Sequence, residues 1–253
     1  MSEMNAHETA ERTARPTLEF GRGWMMAPTT GARAAELGLA ESGRFGFWVN
    51  GRAGVLGDVD AAIAASAIGF MAPDAVRMHW QARPAALSAW DAALAWFDAG
   101  VVWGRETLAS MPEDRVRRLA DLSRRVIEAA PLSLGALFAG STLIPLPEDA
   151  AGAVTINLNV LRELRGGAHL AACHAAGLGP HATIMSTDDP VRGGAAWAEG
   201  FGWTAPHPEP DTDARARVEA MTTAAMTPVF EVLGAAERAE LVELVEQARA
   251  QLG

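Results

Sequence analysis

An all-α fold is predicted by three features of the sequence. Apolar residues recur at spacings of three and four through most of the chain, the period of a buried helix face. Prolines followed by acidic or helix-favouring residues recur where these segments begin, as at Pro73-Asp74, Pro84 and Pro112-Glu113-Asp114. Only one short stretch, residues 45–56, carries a hairpin signal, Asn50-Gly51 between apolar runs.

Residues 1–16 are polar and read as a disordered tail. A short helix is expected over Gly31 to Leu39. Residues 45–56 read either as a small ribbon, on Asn50-Gly51, or as a helix, on a resemblance described below. Asp58 is placed to cap a helix running to about Met71. A helix follows from Pro73 through Trp80, and another from Pro84 to Leu108, with Leu87, Trp90, Leu94, Phe97 and Val101 on one face. The next runs from Pro112 to Pro131, with Val116, Leu119, Leu122, Val126 and Ile127 as its apolar stripe. Residues 131–147 are punctuated by Pro131, Gly135, Gly140, Pro145 and Pro147 and read as a boundary. Beyond it helices are expected at about 148–165, 168–176 and 178–186. Residues 200–213 read as a loop, and two helices close the chain at about 213–226 and 235–252. The expected organisation is thus a tail at 1–16, an N-terminal helical domain at 17–140 and a second helical half at 141–253.

Composition narrows the function. All 21 basic residues are arginine, against 31 acidic ones, for a formal net charge of -10. So acidic a chain repels phosphate backbones, which argues against a nucleic-acid partner. The single cysteine, Cys173, allows no internal disulfide and fits a reducing compartment. The N-terminal stretch lacks the apolar core of a signal peptide. The longest apolar run, Ala61 to Met71, is far short of the roughly 20 residues that span a bilayer. A cytoplasmic address without membrane contact is expected. The arginines from Arg115 to Arg125 alternate with Glu113, Asp114, Asp121 and Glu128, the pattern of a solvated helix face with i,i+4 pairs.

Two groups of residues could carry chemistry. His169, Cys173 and His174 cluster, with His181 beyond. His169 and Cys173 are four apart and share a helix face, a spacing that can hold a transition metal; the alternative is that they are separate core or surface residues. Trp96 and Trp103 are seven apart and share a face of another helix, where they could wall a pocket for a flat ligand or simply pack a core. The nucleophile elbow, the phosphate-binding loop, the dinucleotide fingerprint and the H-E-x-x-H zinc motif are all missing.

Several stretches resemble an actinobacterial family of helix-turn-helix proteins. They are Thr30 to Leu39 (TGARAAELGL), Phe47 to Gly57 (FWVNGRAGVLG), Leu146 to Asp149 (LPED) and Leu161 to Ala172 (LRELRGGAHLAA). Val218 to Leu252 also resembles the closing helices of winged-helix regulators of the multiple-antibiotic-resistance type. The resemblance implies that 47–57 is helical and singles out Gly51, Arg52, Arg165, Gly166 and His169. Gly167 departs from it, since relatives carry an acidic residue there. Gly202-Trp203-Thr204 stands where relatives have an R-G-W motif followed by a recognition helix and wing. Here Pro206, Pro208 and Pro210 follow instead, and proline lacks the amide a helix needs. The resemblance therefore implies a degenerate winged-helix half. On it, a small-molecule-binding protein is expected, or an enzyme of specialised metabolism. Arg52, Trp96, Trp103 and Arg165 would contact ligand, and Arg52 and His169 would be the groups able to act catalytically. The cofactor is left open, with a transition metal on His169, Cys173 and His174 as the candidate. The alternative is a DNA-binding regulator of the winged-helix type. In the last helix, Leu241, Val245, Ala248 and Leu252 form a stripe that offers a homodimer seam.

Overall fold

A computed structural model describes residues 3–187 and 193–252. Among them the chain is all-α, with thirteen helices and no strand. In order these are α1 (Ala6–Gly23), α2 (Pro28–Glu36), α3 (Gly46–Ala53), α4 (Ala61–Ile68), α5 (Pro73–Gln81), α6 (Ala89–Thr107) and α7 (Glu113–Ala129). There follow α8 (Ala136–Ser141), α9 (Ala150–Ala175), α10 (Pro180–Met185), α11 (Gly194–Gly200), α12 (Thr212–Met226) and α13 (Ala235–Ala250). No described helix is long and apolar enough to cross a membrane.

Helix starts follow local chemistry. Asn5, Asp60, Ser88, Asp149 and Asp211 each accept a backbone amide from the first turn, at 2.7–3.0 Å, which satisfies an otherwise orphaned donor. Two of these caps differ from expectation. Asp60, not Asp58, caps α4, because Asp58 is drawn to Arg83 (2.5 Å) and to the Ala89 amide (3.1 Å). The same contacts begin α6 at Ser88 rather than at Pro84.

Residues 6–16, expected as a tail, form the first half of α1. Their buried face is made of Ala6, Thr9, Ala10, Thr13 and Pro16. Threonines read as polar in sequence, but the Thr9 and Thr13 hydroxyls donate to the carbonyls four residues back (2.8 Å each). A hydroxyl so satisfied is cheap to bury. Residues 46–53 are helical, not a ribbon. Asn50 is fully buried and donates to Gly46 O (3.0 Å) and to His79 O (2.8 Å), so it ties α3 to α5 instead of making a turn.

Helix α9 runs without a break through Gly166-Gly167, where two helices were expected. A Cβ at Gly167 would stand 2.1 Å from Leu134 O, so glycine there is set by close packing against the 132–134 turn. The expected boundary at 131–147 is a packed segment that holds α8. Helix α11, which begins at Gly194 and ends at Gly200, was not foreseen.

The long α9 is the centre of the fold and packs against α1, α6, α7, α8 and α12. The largest core cluster draws side chains from Ala6 to Ala248, so the stretches 17–140 and 141–253 share one core. Helix α13 packs against α1 and α7 of its own chain. Leu241, Val245 and Ala248, expected as a dimer seam, are fully covered there and present no free apolar face. The arginine face of α7 makes the expected i,i+4 pairs, Arg117–Glu113 and Arg124–Glu128. It also reaches α13 through Arg115–Glu243, Arg118–Glu240 and Arg125–Glu237.

Candidate functional site

Three places gather functional side chains. The first is a cavity of about 280 Å3 framed by the 24–26 turn, α2, α3 and α6. Its walls include Met25, Phe47, Trp48 and Trp96. Gly51 makes the Trp96 wall: a Cβ there would lie 2.4 Å from the Trp96 side chain, so only glycine lets α3 lie against the indole. Trp96 is further held by Trp24 (ring centroids 4.2 Å) and by Phe47, edge-on at 5.0 Å. The Trp96 Nε1 donor is buried and has no hydrogen-bond partner among the described residues. Arg44 stands at the rim. Gly43, with φ +100, makes the turn that places it, in a conformation L side chains rarely adopt.

The second place is a buried charge cluster between α3 and α9. Arg52 Nε and Nη2 donate to the two oxygens of Glu163, at 2.9 and 2.8 Å. Arg162 Nη1 donates to the same carboxylate at 2.6 Å. All three side chains are at most a tenth exposed. Burial opposes ionisation of Glu163, but the Arg52 and Arg162 guanidiniums hold its pKa below the usual carboxylate range. Burial pushes Arg162 down to about 9 against the pull of Glu163, with Arg52 and Arg22 repelling it. Arg52 also stacks on Trp48, 4.4 Å from the ring centroid, so it reaches the cavity only through that indole.

The third place lies between α9 and α12. Arg165 and Arg215 share Glu219, at 2.6 and 2.5 Å. Arg215 Nη1 donates to His169 Nε2 (3.1 Å), and His169 Nδ1 lies 3.0 Å from the Thr222 hydroxyl. That hydroxyl already donates to Val218 O, so it accepts from Nδ1–H. Both ring nitrogens are thus committed and the imidazole is neutral. Burial drives its pKa to about 4; Glu219 pulls it up, and Arg165 and Arg215 push it down.

These positions divide the sequence-predicted residues. Trp96 lines the cavity and Arg52 stands one ring behind it. Trp103 does not line it; the indole packs on Phe20, edge-on at 5.2 Å. Arg165 and His169 belong to the α12 cluster. The metal set does not assemble. His169 has both nitrogens occupied, Cys173 is buried, and His174 is exposed on another face. No three His, Cys, Asp or Glu side chains among the described residues are arranged to hold a metal ion. Burial raises the Cys173 thiol above its ordinary pKa, despite the Thr183 hydroxyl that hydrogen-bonds it. Sequence reasoning missed Arg44, Trp48, Arg162, Glu163 and Glu219. Only the Arg215–Glu219 spacing, an i,i+4 pair on one helix, was there to be read.

A model of a family described as the helix-turn-helix family matches residues 10–253. No curated protein and no solved structure matches the chain.

Proposed function

The chain belongs to the helix-turn-helix family, and we propose that it uses this scaffold to bind a small molecule rather than to read DNA. The observation that carries the proposal is the cavity of about 280 Å3 walled by Phe47, Trp48 and Trp96. An apolar cavity of about 150 Å3 takes a benzene, so this one has room for a single ring with a side arm. Apolar walls with a few convergent polar groups are the usual make-up of a ligand pocket.

Two further points support the reading. The chain is acidic overall, and residues 203–211, where the winged-helix resemblance puts the recognition helix, carry no helix. On this reading 141–253 is the degenerate half of a winged-helix scaffold of the actinobacterial kind. His169 is a structural neutral histidine, so catalysis by it forms no part of the proposal.

Ligand-observed NMR with indole, a neutral one-ring probe, tests the cavity. Gly31 lines it, and a Cβ there would meet nothing within 4 Å. Gly31→Phe therefore sets a ring on the lining at a position whose Cβ has room. Saturable indole binding by the wild type, lost in Gly31→Phe at unchanged stability, is the expected result. Equal signals from both proteins, or none from either, would overturn the cavity assignment. A band-shift with mixed-sequence duplex at low salt tests the DNA alternative. A shifted band that weakens steeply with added salt would favour a regulator.

A further inference from the structure

We infer that the cavity selects an anion, namely a one-ring compound carrying a carboxylate, and that Arg44 is the residue that selects it. This rests on the small-molecule reading above. The lining contains one cation, Arg44, and no aspartate or glutamate, in a chain where acidic residues outnumber basic ones 31 to 21. The neighbouring arginines in sequence already hold carboxylates: Arg33 holds Glu36 at 2.9 Å and Arg52 holds Glu163 at 2.8 Å. Arg44 makes no ion pair among the described residues. Its guanidinium is braced by rings instead, 4.6 Å from the Phe45 centroid and 5.8 Å from that of Trp197 on α11.

Stacking of this kind occupies the faces of the guanidinium and leaves its in-plane N–H donors for a ligand. It also limits the rotamers Arg44 can adopt, so less conformational entropy is lost when an anion binds. Gly200 on α11 gives the guanidinium room, since a Cβ there would stand 3.3 Å from Arg44 Nη2. The Thr30 hydroxyl, also in the lining, already donates to Trp24 O (2.7 Å). A cavity whose one charged lining group is a cation with no ion pair among the described residues fits a ring that carries an anion.

The test compares benzoate with benzamide, its neutral analogue, by calorimetry on the wild type, Arg44→Gln and Arg44→Lys. Benzoate should bind the wild type about tenfold or more tightly than benzamide, as a charge-assisted bond implies. That preference should weaken with salt, disappear in Arg44→Gln and partly survive in Arg44→Lys, while benzamide affinity stays the same in all three. If both compounds bind the wild type equally, the cavity stands and anion selection is wrong. A benzoate preference that persists in Arg44→Gln removes Arg44 from the role. If neither compound binds and indole also fails, the small-molecule reading itself falls; if indole alone binds, only the inference of an anion does.

Discussion

Replacing Glu163 by glutamine is the sharpest test of how this fold is held. The carboxylate accepts three guanidinium hydrogen bonds, at 2.9, 2.8 and 2.6 Å, in a site where its own side chain is 4% exposed. Glutamine keeps one carbonyl oxygen, which at the Oε1 position still accepts from Arg52 Nε and Arg162 Nη1. It turns an NH2 group against Arg52 Nη2 and leaves two buried guanidiniums, of Arg52 and Arg162, without a counter-charge. The lost charge-assisted bond alone costs about 1.5–3 kcal/mol. With the uncompensated buried cations included, breaking a buried ion pair from one side costs about 3–5 kcal/mol. For a chain of this size that corresponds to a fall in Tm of roughly 10 °C. Urea unfolding followed by tryptophan fluorescence measures it, with an unchanged m-value as the sign that the unfolded state is the same. Adding Arg52→Met to Glu163→Gln removes one of the stranded cations, so the double variant should lose less than the sum of the singles. A loss below about 1 kcal/mol for Glu163→Gln, or strict additivity in the cycle, would refute the account of this cluster as mutually compensating charges.

Three further outcomes follow from single residues. His169 has a folded-state pKa of about 4, below its ordinary value of 6.5, so it contributes stability that is fully present above pH 6.5 and is lost as the pH falls toward 4. Imidazole NMR should show a neutral Nδ1–H ring at pH 6, whereas a ring half-protonated near pH 6.5 would contradict the hydrogen-bond assignment. Cys173, buried with a raised pKa, should react with a thiol reagent only when the protein unfolds, so labelling as fast as that of a free thiol in native buffer would place it elsewhere. Gly51→Ala puts a Cβ 2.4 Å from Trp96 and forces α3 off α6, at a cost of about 1–3 kcal/mol in thermal or urea unfolding. No change there would mean that Trp96 is free to move aside.

The helices were legible where a proline start or an apolar stripe marked them, as at α5, α7 and α13. They were not legible where the deciding contact lies far off in sequence. Asn50-Gly51 has the local chemistry of a turn. What makes it helix is His79, 29 positions away, which takes the Asn50 amide, and Trp96, which needs Gly51 bare. The same holds for the site. Arg52 is conspicuous in sequence, but its partner Glu163 lies 111 positions on and reads locally as one more acidic residue on α9. Arg44 shows no pattern at all, because what sets it apart is the lack of a carboxylate partner among the described residues and the presence of Trp197 across the fold.

The proline-rich stretch after Trp203 bears most directly on function. It is not loose chain: tertiary contacts hold it at several points. Trp203 Nε1 donates to Phe70 O (2.9 Å), and His181 stacks on the Trp203 ring at 4.8 Å. His181 Nε2 and His207 Nδ1 lie 2.9 Å apart, and the Asp211 amide donates to the Ser186 hydroxyl (2.8 Å). Three prolines deny the segment a helical amide ladder, and these contacts supply the order a helix would have supplied. A major-groove reader must present a helix with side chains free to reach base edges. Here the same positions are spent inward, on α10 and on the turn at Phe70. To read DNA through this segment the chain would have to give up those contacts and gain a helix that its prolines forbid. That physical cost, more than the acidic charge, is the case against DNA reading at this place.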